Sequence, residues 1–193
     1  MLSLEESLKI LKETNALLEG HFILSSGLHS PQYIQCAQLM SKPSEAFKIC
    51  SSLSEKIKKE FKEFDLILSP AMGGIIVGYE IGRILNKETI FSERKEGKLV
   101  LRRDFSIKKN QKVLIVEDVI TTGKSSLECS ELVREKDASV AGYACIIDRS
   151  NSKSLIKNKI ISQVKIDIPT YSKNNLPDNL RSVKAIKPGS RNL

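Results

Sequence analysis

Tryptophan is absent, and aromatic residues make up only 5% of the 193-residue chain. So few rings give little on which to stack the bases of a single-stranded nucleic acid. Histidine is scarce too, with His21 and His29 the only two. Without a serine or cysteine elbow elsewhere they do not make a hydrolase triad. Cys36, Cys50, Cys129 and Cys145 show no C-x-x-C pairing. That argues against a zinc site or a dithiol redox motif and leaves four small buried hydrophobes. No apolar run approaches the roughly 20 residues of a membrane helix. The opening MLSLEESLKILKE carries acids and no apolar signal core. The expected location is the cytoplasm, away from membranes.

What is present is an ordinary globular composition, 40% hydrophobic and 28% charged, with a net charge of +8. The charge is concentrated. Residues 94–109, RKEGKLVLRRDFSIKK, hold seven basic residues against two acids. The stretch 181–193 adds Arg181, Lys184, Lys187 and Arg191 with no acid, so the rest of the chain is close to neutral. Two basic patches on a neutral body admit either nucleic acid or a small polyanion as ligand.

Residues 1–193 read as a single domain, long enough to bury roughly 70% of the surface of the unfolded chain. A helix is expected over 3–18, where Ser3 and Glu6 fit a capping box, and another over 43–64. Between them, residues 22–37 carry Ser-Gly and Ser-Pro breaks and read as a hairpin or loop. Further on, strands at 65–69, 87–91, 112–117, 138–148 and 162–168 alternate with helices at 75–85 and 124–136. That order argues for an α/β fold, a central parallel sheet flanked by helices, with ligands at the carboxyl ends of the strands. The charged stretch 93–104 reads as a flexible loop.

One of those strand ends carries unusual chemistry. KVLIVEDVITTGKSS, residues 112–126, runs from an apolar strand through Glu117 and Asp118 into a Thr-Thr-Gly-Lys-Ser turn. The second half matches the P-loop pattern G-x-x-x-x-G-K-S/T, but Asp118 stands where the first glycine is needed. The acids demand a different ligand. Backbone N–H groups of Thr121 to Ser125, at the positive end of the next helix, can seat one phosphate. Glu117 and Asp118 can accept from neutral hydroxyls a few ångströms away. A sugar phosphate has both parts, and the acids would meet its vicinal diol.

Residues 113–125 resemble the phosphoribosyl-pyrophosphate (PRPP) signature of the type I phosphoribosyltransferases. Further stretches, in the right order, resemble the orotate branch of that family. They are FILSSGLHSPQY (22–33), SPAMGG (69–74), ERKEGK (93–98), IIDRS (146–150) and KPGSR (187–191). The resemblance implies a type I phosphoribosyltransferase fold with a small N-terminal hood (1–40) and a mobile catalytic loop (93–104). It implies transfer of a phosphoribosyl group from PRPP to orotate, with Mg²⁺ carried on PRPP and no direct protein ligand to the metal. It assigns catalysis to Lys98, Glu117 and Asp118. PRPP binding would fall to Met72, Gly73, Arg94, Lys95 and Lys98, and to Glu117, Asp118, Val119, Ile120, Thr121, Thr122, Gly123, Lys124 and Ser125. Thr121, Arg149, Ser26 and Gly27 would face orotate. A homodimer with shared sites and no nucleic-acid partner completes it.

The chain departs from the best-known branch at three points. Ser25 and Gly73 stand where that branch has PRPP-contacting lysines, and Val100 where its loop has a histidine. Arg102, Arg103 and His29 are candidate replacements for the missing charge. Two other readings keep the signature: a purine or uracil phosphoribosyltransferase, and a PRPP-sensing regulator that binds nucleic acid through its basic patches.

Overall fold

A computed structural model describes residues 1–150 and 154–188, so part of the expected 187–191 segment, with Arg191, lies outside the described residues. The first helix, α1 (Leu4–Glu13), begins with the predicted capping box. Ser3 N donates to Glu6 Oε2 at 2.7 Å, and Glu6 N to Ser3 Oγ at 3.1 Å. It ends earlier than its apolar pattern suggested. Asn15 adopts φ 59°, its N–H bonds Lys12 O at 3.0 Å, and Ala16 N returns to Leu11 O at 2.8 Å. This is a Schellman stop, with asparagine in the left-handed position that glycine usually fills. Leu17 and Leu18 therefore open a strand rather than close a helix.

That strand, β1 (Leu17–Ile23), pairs antiparallel with β2 (His29–Ile34) to form a separate hairpin, the hood. Short α2 (Cys36–Met40) leads to α3 (Pro43–Glu60), which starts with proline at its first turn. The alternation follows: β3 (Leu66–Pro70), α4 (Gly73–Leu85), β4 (Glu88–Lys95), β5 (Lys98–Leu101), β6 (Lys112–Ile120), α5 (Lys124–Arg134), β7 (Ser139–Asp148) and β8 (Ile160–Lys165), with a single turn α6 (Asp178–Arg181) near the end. The main sheet has the order β5-β4-β3-β6-β7-β8. Five of its strands are parallel and β5 is antiparallel to β4.

The antiparallel edge corrects one expectation. Residues 93–104 are not irregular throughout: β4 runs on past Phe91 to Lys95, turns at Glu96 (φ 51°) and Gly97 (φ 85°), and returns as β5. Two successive left-handed residues make the tight hairpin turn that matches strand twist. Outside the ladder, Arg103 and Asp104 are also left-handed.

Two apolar layers sandwich the sheet. Along β6 the side chains alternate: Leu114 and Val116 pack with α3 and α4 residues such as Leu53, Val77 and Ile81, while Val113 and Ile115 pack with Cys129 and Val133 of α5. Both faces are buried, as a parallel sheet covered by helices requires. The four cysteines are all free and buried.

Candidate active site

The alternation along β6 continues past its core and decides where the two acids go. Glu117 follows the parity of Val113 and Ile115, and its carboxylate faces α5, where Ser126 Oγ donates to Glu117 Oε1. Asp118 follows Leu114 and Val116 and lies against the start of α4, on Gly73. A period of two sends neighbours to opposite faces. The acids thus flank the strand end from both sides rather than standing side by side. Glu117 is only 8% exposed. Burial pushes its pKa up to about 7, opposed by the hydrogen bonds from Ser126 and reinforced by the negative charge of Asp118. Burial also raises the Asp118 pKa, against the backbone N–H groups of Val119 and of Asp118 itself.

The turn that follows is shaped for an anion. Gly123 takes φ 79° and opens α5 with no side chain of its own to cap the helix start, where only Thr122 Oγ1 accepts a long bond from Lys124 N at 3.4 Å. The residues Glu117 and Val119 to Ser125 line a cavity of about 120 Å³. Free amides at a helix start attract a phosphate. The turn is braced from outside by a segment that sequence reasoning did not single out. Leu155 N donates to Thr122 O at 2.9 Å, and a Cβ on Gly123 would sit 2.7 Å from Ile156 Cγ1. Glycine here satisfies both a positive φ and a close approach. A larger depression of about 370 Å³ lies at the far end of α4, around Tyr79, Arg83 and Lys87. It contains none of the motif residues and opens beside the start of β4, the wrong end of the sheet for a ligand of this fold.

The second turn at this edge joins β3 to α4. Its Ala71–Met72 peptide is cis. Met72, 83% exposed, precedes a helix start that again has no side-chain cap. A Cβ at Gly73 would fall 2.2 Å from Asp118 Oδ2. A side chain at 73 would therefore require the Asp118 carboxylate to move aside.

The β4–β5 hairpin carries the basic residues. Lys95 and Lys98 pair across its turn, both exposed. Arg94 donates to Gly97 O and forms an ion pair of 2.8 Å with Glu128 on α5. Arg103 and Arg102 are both engaged by Glu93, at 3.0 and 3.9 Å. His29 is buried, with its Nδ1 2.6 Å from His21 Nε2. His29 is thus buried in a histidine pair, whereas Arg102 and Arg103 remain exposed in surface ion pairs, as Arg94 does.

Arg149 leaves the end of β7 beside the phosphate turn, its backbone N–H bonded to Ile120 O at 3.0 Å. The side chain is half-buried, and burial lowers its pKa against the pull of Asp167. Ser26 and Gly27 occupy the exposed tip of the hood hairpin, Gly27 at φ 80°. The hood is tied to the C-terminal segment through the bridges Phe22 to Ile186 and His29 to Tyr171. Ser126 and Glu128 are the residues of this region that the sequence reading missed. Their only signal was position, three and five residues beyond the turn glycine on the helix it opens.

A β-strand ending in paired acids, a glycine turn that starts the next helix, and this strand order define a phosphoribosyltransferase. The phosphoribosyl transferase domain family matches residues 35–177. The chain belongs to that family, and within it to the orotate phosphoribosyltransferases. It is 46% identical over 190 residues to the orotate phosphoribosyltransferase of Parvibaculum lavamentivorans, covering 98% of both chains. The fold is also that of the orotate phosphoribosyltransferase crystal structure from Aeropyrum pernix, with a TM-score of 0.71 at 24% identity over 82% of this chain and 92% of that one. The adenine phosphoribosyltransferase of Thermoanaerobacter pseudethanolicus shares it more loosely, at a TM-score of 0.61 and 18% identity over 70% of this chain and 88% of that one.

Proposed function

We propose that this chain transfers the 5-phosphoribosyl group of PRPP to orotate, giving orotidine 5′-monophosphate and pyrophosphate in pyrimidine nucleotide synthesis. The observation that carries the choice of acceptor is the likeness to the Parvibaculum enzyme, which spans the hood and Arg149 as well as the PRPP motif. In this reading the 5′-phosphate sits in the turn Thr121–Ser125, and Glu117 and Asp118 reach the ribose hydroxyls from either side of the strand end. The β3–α4 turn at Met72 and Gly73 receives the pyrophosphate. Arg149 pairs with the orotate carboxylate, a bidentate match that lysine cannot make, with Thr121, Ser26 and Gly27 around the base.

As the glycosidic bond breaks, the ribose gains positive charge and the pyrophosphate gains negative charge. Lys98, Lys95 and Arg94 would close over the leaving group and stabilise that charge. Among the described residues no group of three or more His, Cys, Asp or Glu side chains converges as a metal cage. Mg²⁺ would ride on oxygens of PRPP, as a hard ion with reluctant dehydration does, and supply charge neutralisation there. No helix of the described residues is long and apolar enough to cross a membrane; the working location is the cytoplasm.

The reading includes a homodimer with shared sites. Met72, Ile76 and Tyr79 are exposed along one face of α4, with exposed Phe47 of α3 nearby on the Arg83 guanidinium. Such an apolar stripe marks a surface that a partner covers. The test of the activity is an absorbance assay with orotate, PRPP and Mg²⁺. Orotate should be consumed only when all three are present. Consumption of a purine or uracil instead would reassign the acceptor, and no reaction with any base would favour a PRPP-sensing regulator.

A further inference from the structure

Ser126 lies beyond the phosphate turn, and the PRPP motif gives it no task. It is fully buried, the third residue of α5, and its hydroxyl donates to Glu117 Oε1. Its backbone N–H favours the same carboxylate. The helix turn that holds it is fixed from behind. Ser130 Oγ donates to Ser126 O at 2.9 Å. A serine has one hydroxyl proton, so Tyr143, 2.8 Å away, must donate its own to Ser130 Oγ.

The surroundings of Glu117 make this contact decisive. On its own strand stands Asp118; beside it in the sheet stands the thiol of Cys145 on β7, and across the buried layer that of Cys129 on α5, with Arg94 and Glu128 beyond Cys129. Burial and Asp118 disfavour the Glu117 anion, and both of the interactions that favour it come from Ser126. Ser126 engages Oε1, which leaves Oε2 for a ligand.

We propose that Ser126 is a positioning residue that keeps Glu117 ionised and aimed at the ribose diol, and so sets the lower pH limit of PRPP binding. This rests on the reading that Glu117 meets the ribose hydroxyls. A carboxylate must be ionised to act purely as an acceptor. Loss of one hydrogen bond to the charged form moves its titration upward by about one pH unit.

The test is the pH profile of kcat/KM for PRPP, which reports groups of the free enzyme. With Ser126→Ala the acid limb should move up by about one unit, lowering kcat/KM about fivefold at pH 7 and less than about twofold at pH 9. At saturating PRPP, kcat should change little, so the loss appears in KM. Ser126→Cys keeps the size and a weak donor, should give an intermediate limb, and carries the test if the alanine variant does not fold. An equal loss at every pH, or a limb that stays in place, would overturn the proposal. Glu117→Gln separates the two levels. If it binds PRPP like the parent protein, the ribose reading itself fails. If it loses PRPP while the Ser126 variants leave the limb unmoved, only the role of Ser126 falls.

Discussion

In the proposed reading Glu117 must be charged for its ligand, in a place that makes charge costly. Its pKa rises from an ordinary 4.5 to about 7 on burial. The folded chain therefore holds this proton more tightly than the unfolded one. The stability linked to the proton is fully present below pH 4.5 and is lost as pH rises through 7. Glu117→Gln carries no such charge while still accepting from Ser126. It should be more stable than the parent at pH 8, by on the order of 1–3 kcal/mol in denaturant titrations, with the gain vanishing near pH 4. A parent protein equally stable at both pH values would contradict the burial of a charged group here. Lys98 is the opposite case, exposed on a hairpin tip. Its substitution by alanine should leave stability within about 0.5 kcal/mol and lower turnover about 100- to 1000-fold, the loss for one donor to a developing oxyanion. Near-normal turnover would remove Lys98 from the chemistry.

At the scale of elements, the β4–β5 hairpin extends past Ser92, where the pairing of β4 with β3 ends. Leu99 is buried beneath it, and the Arg94–Glu128 ion pair pins its strand to α5. That pair is partly exposed, with side chains 42% and 20% accessible. A pair of this kind contributes about 0.2–1 kcal/mol. Glu128→Ala should leave the melting temperature nearly unchanged while trypsin cleaves at Lys95 and Lys98 about threefold faster, as local opening grows by that free energy. Unchanged cleavage would mean the pair does not hold the hairpin. The sequence hid this element because an edge strand tolerates charged side chains, so Glu93, Arg94, Lys95 and Lys98 read as a solvated loop. The end of α1 was hidden for a related reason: Leu17 and Leu18 continue a helical apolar pattern, and only the left-handed Asn15 breaks it. By contrast β6, α5 and the turn between them were legible, because apolar run, acids and glycine turn each need one local geometry. The opposite facing of Glu117 and Asp118 was legible in principle from a period of two. What no local pattern carried was the reach across the fold, Ser126 to Glu117 or Ile156 onto Gly123.

At the scale of the molecule, the basic hairpin and Arg149, the proposed orotate contact, sit on different strands of one sheet, and whether they serve the same reaction centre is a question of assembly. Lys98 projects from the antiparallel edge strand, while Arg149 leaves the end of β7, with β4, β3 and β6 between them in the sheet. The proposed reading has a two-fold contact along the exposed α4 stripe, with one protomer's hairpin serving its partner's site. Such a contact is isologous, and each site would then need groups from both chains. Two inactive variants can test this. The Lys98→Ala and Arg149→Ala proteins should each be nearly inert alone. Mixed, denatured and refolded together, they would give hybrids in which one site combines an intact Lys98 with an intact Arg149. Random pairing should then restore about a quarter of the parent activity. Restoration requires the lysine to act across the interface. If the mixture stays as inactive as its components while differently tagged chains co-purify as dimers, Lys98 serves its own chain. If every species is a monomer, the α4 stripe does not join two copies, and Ile76→Asp would leave the size unchanged.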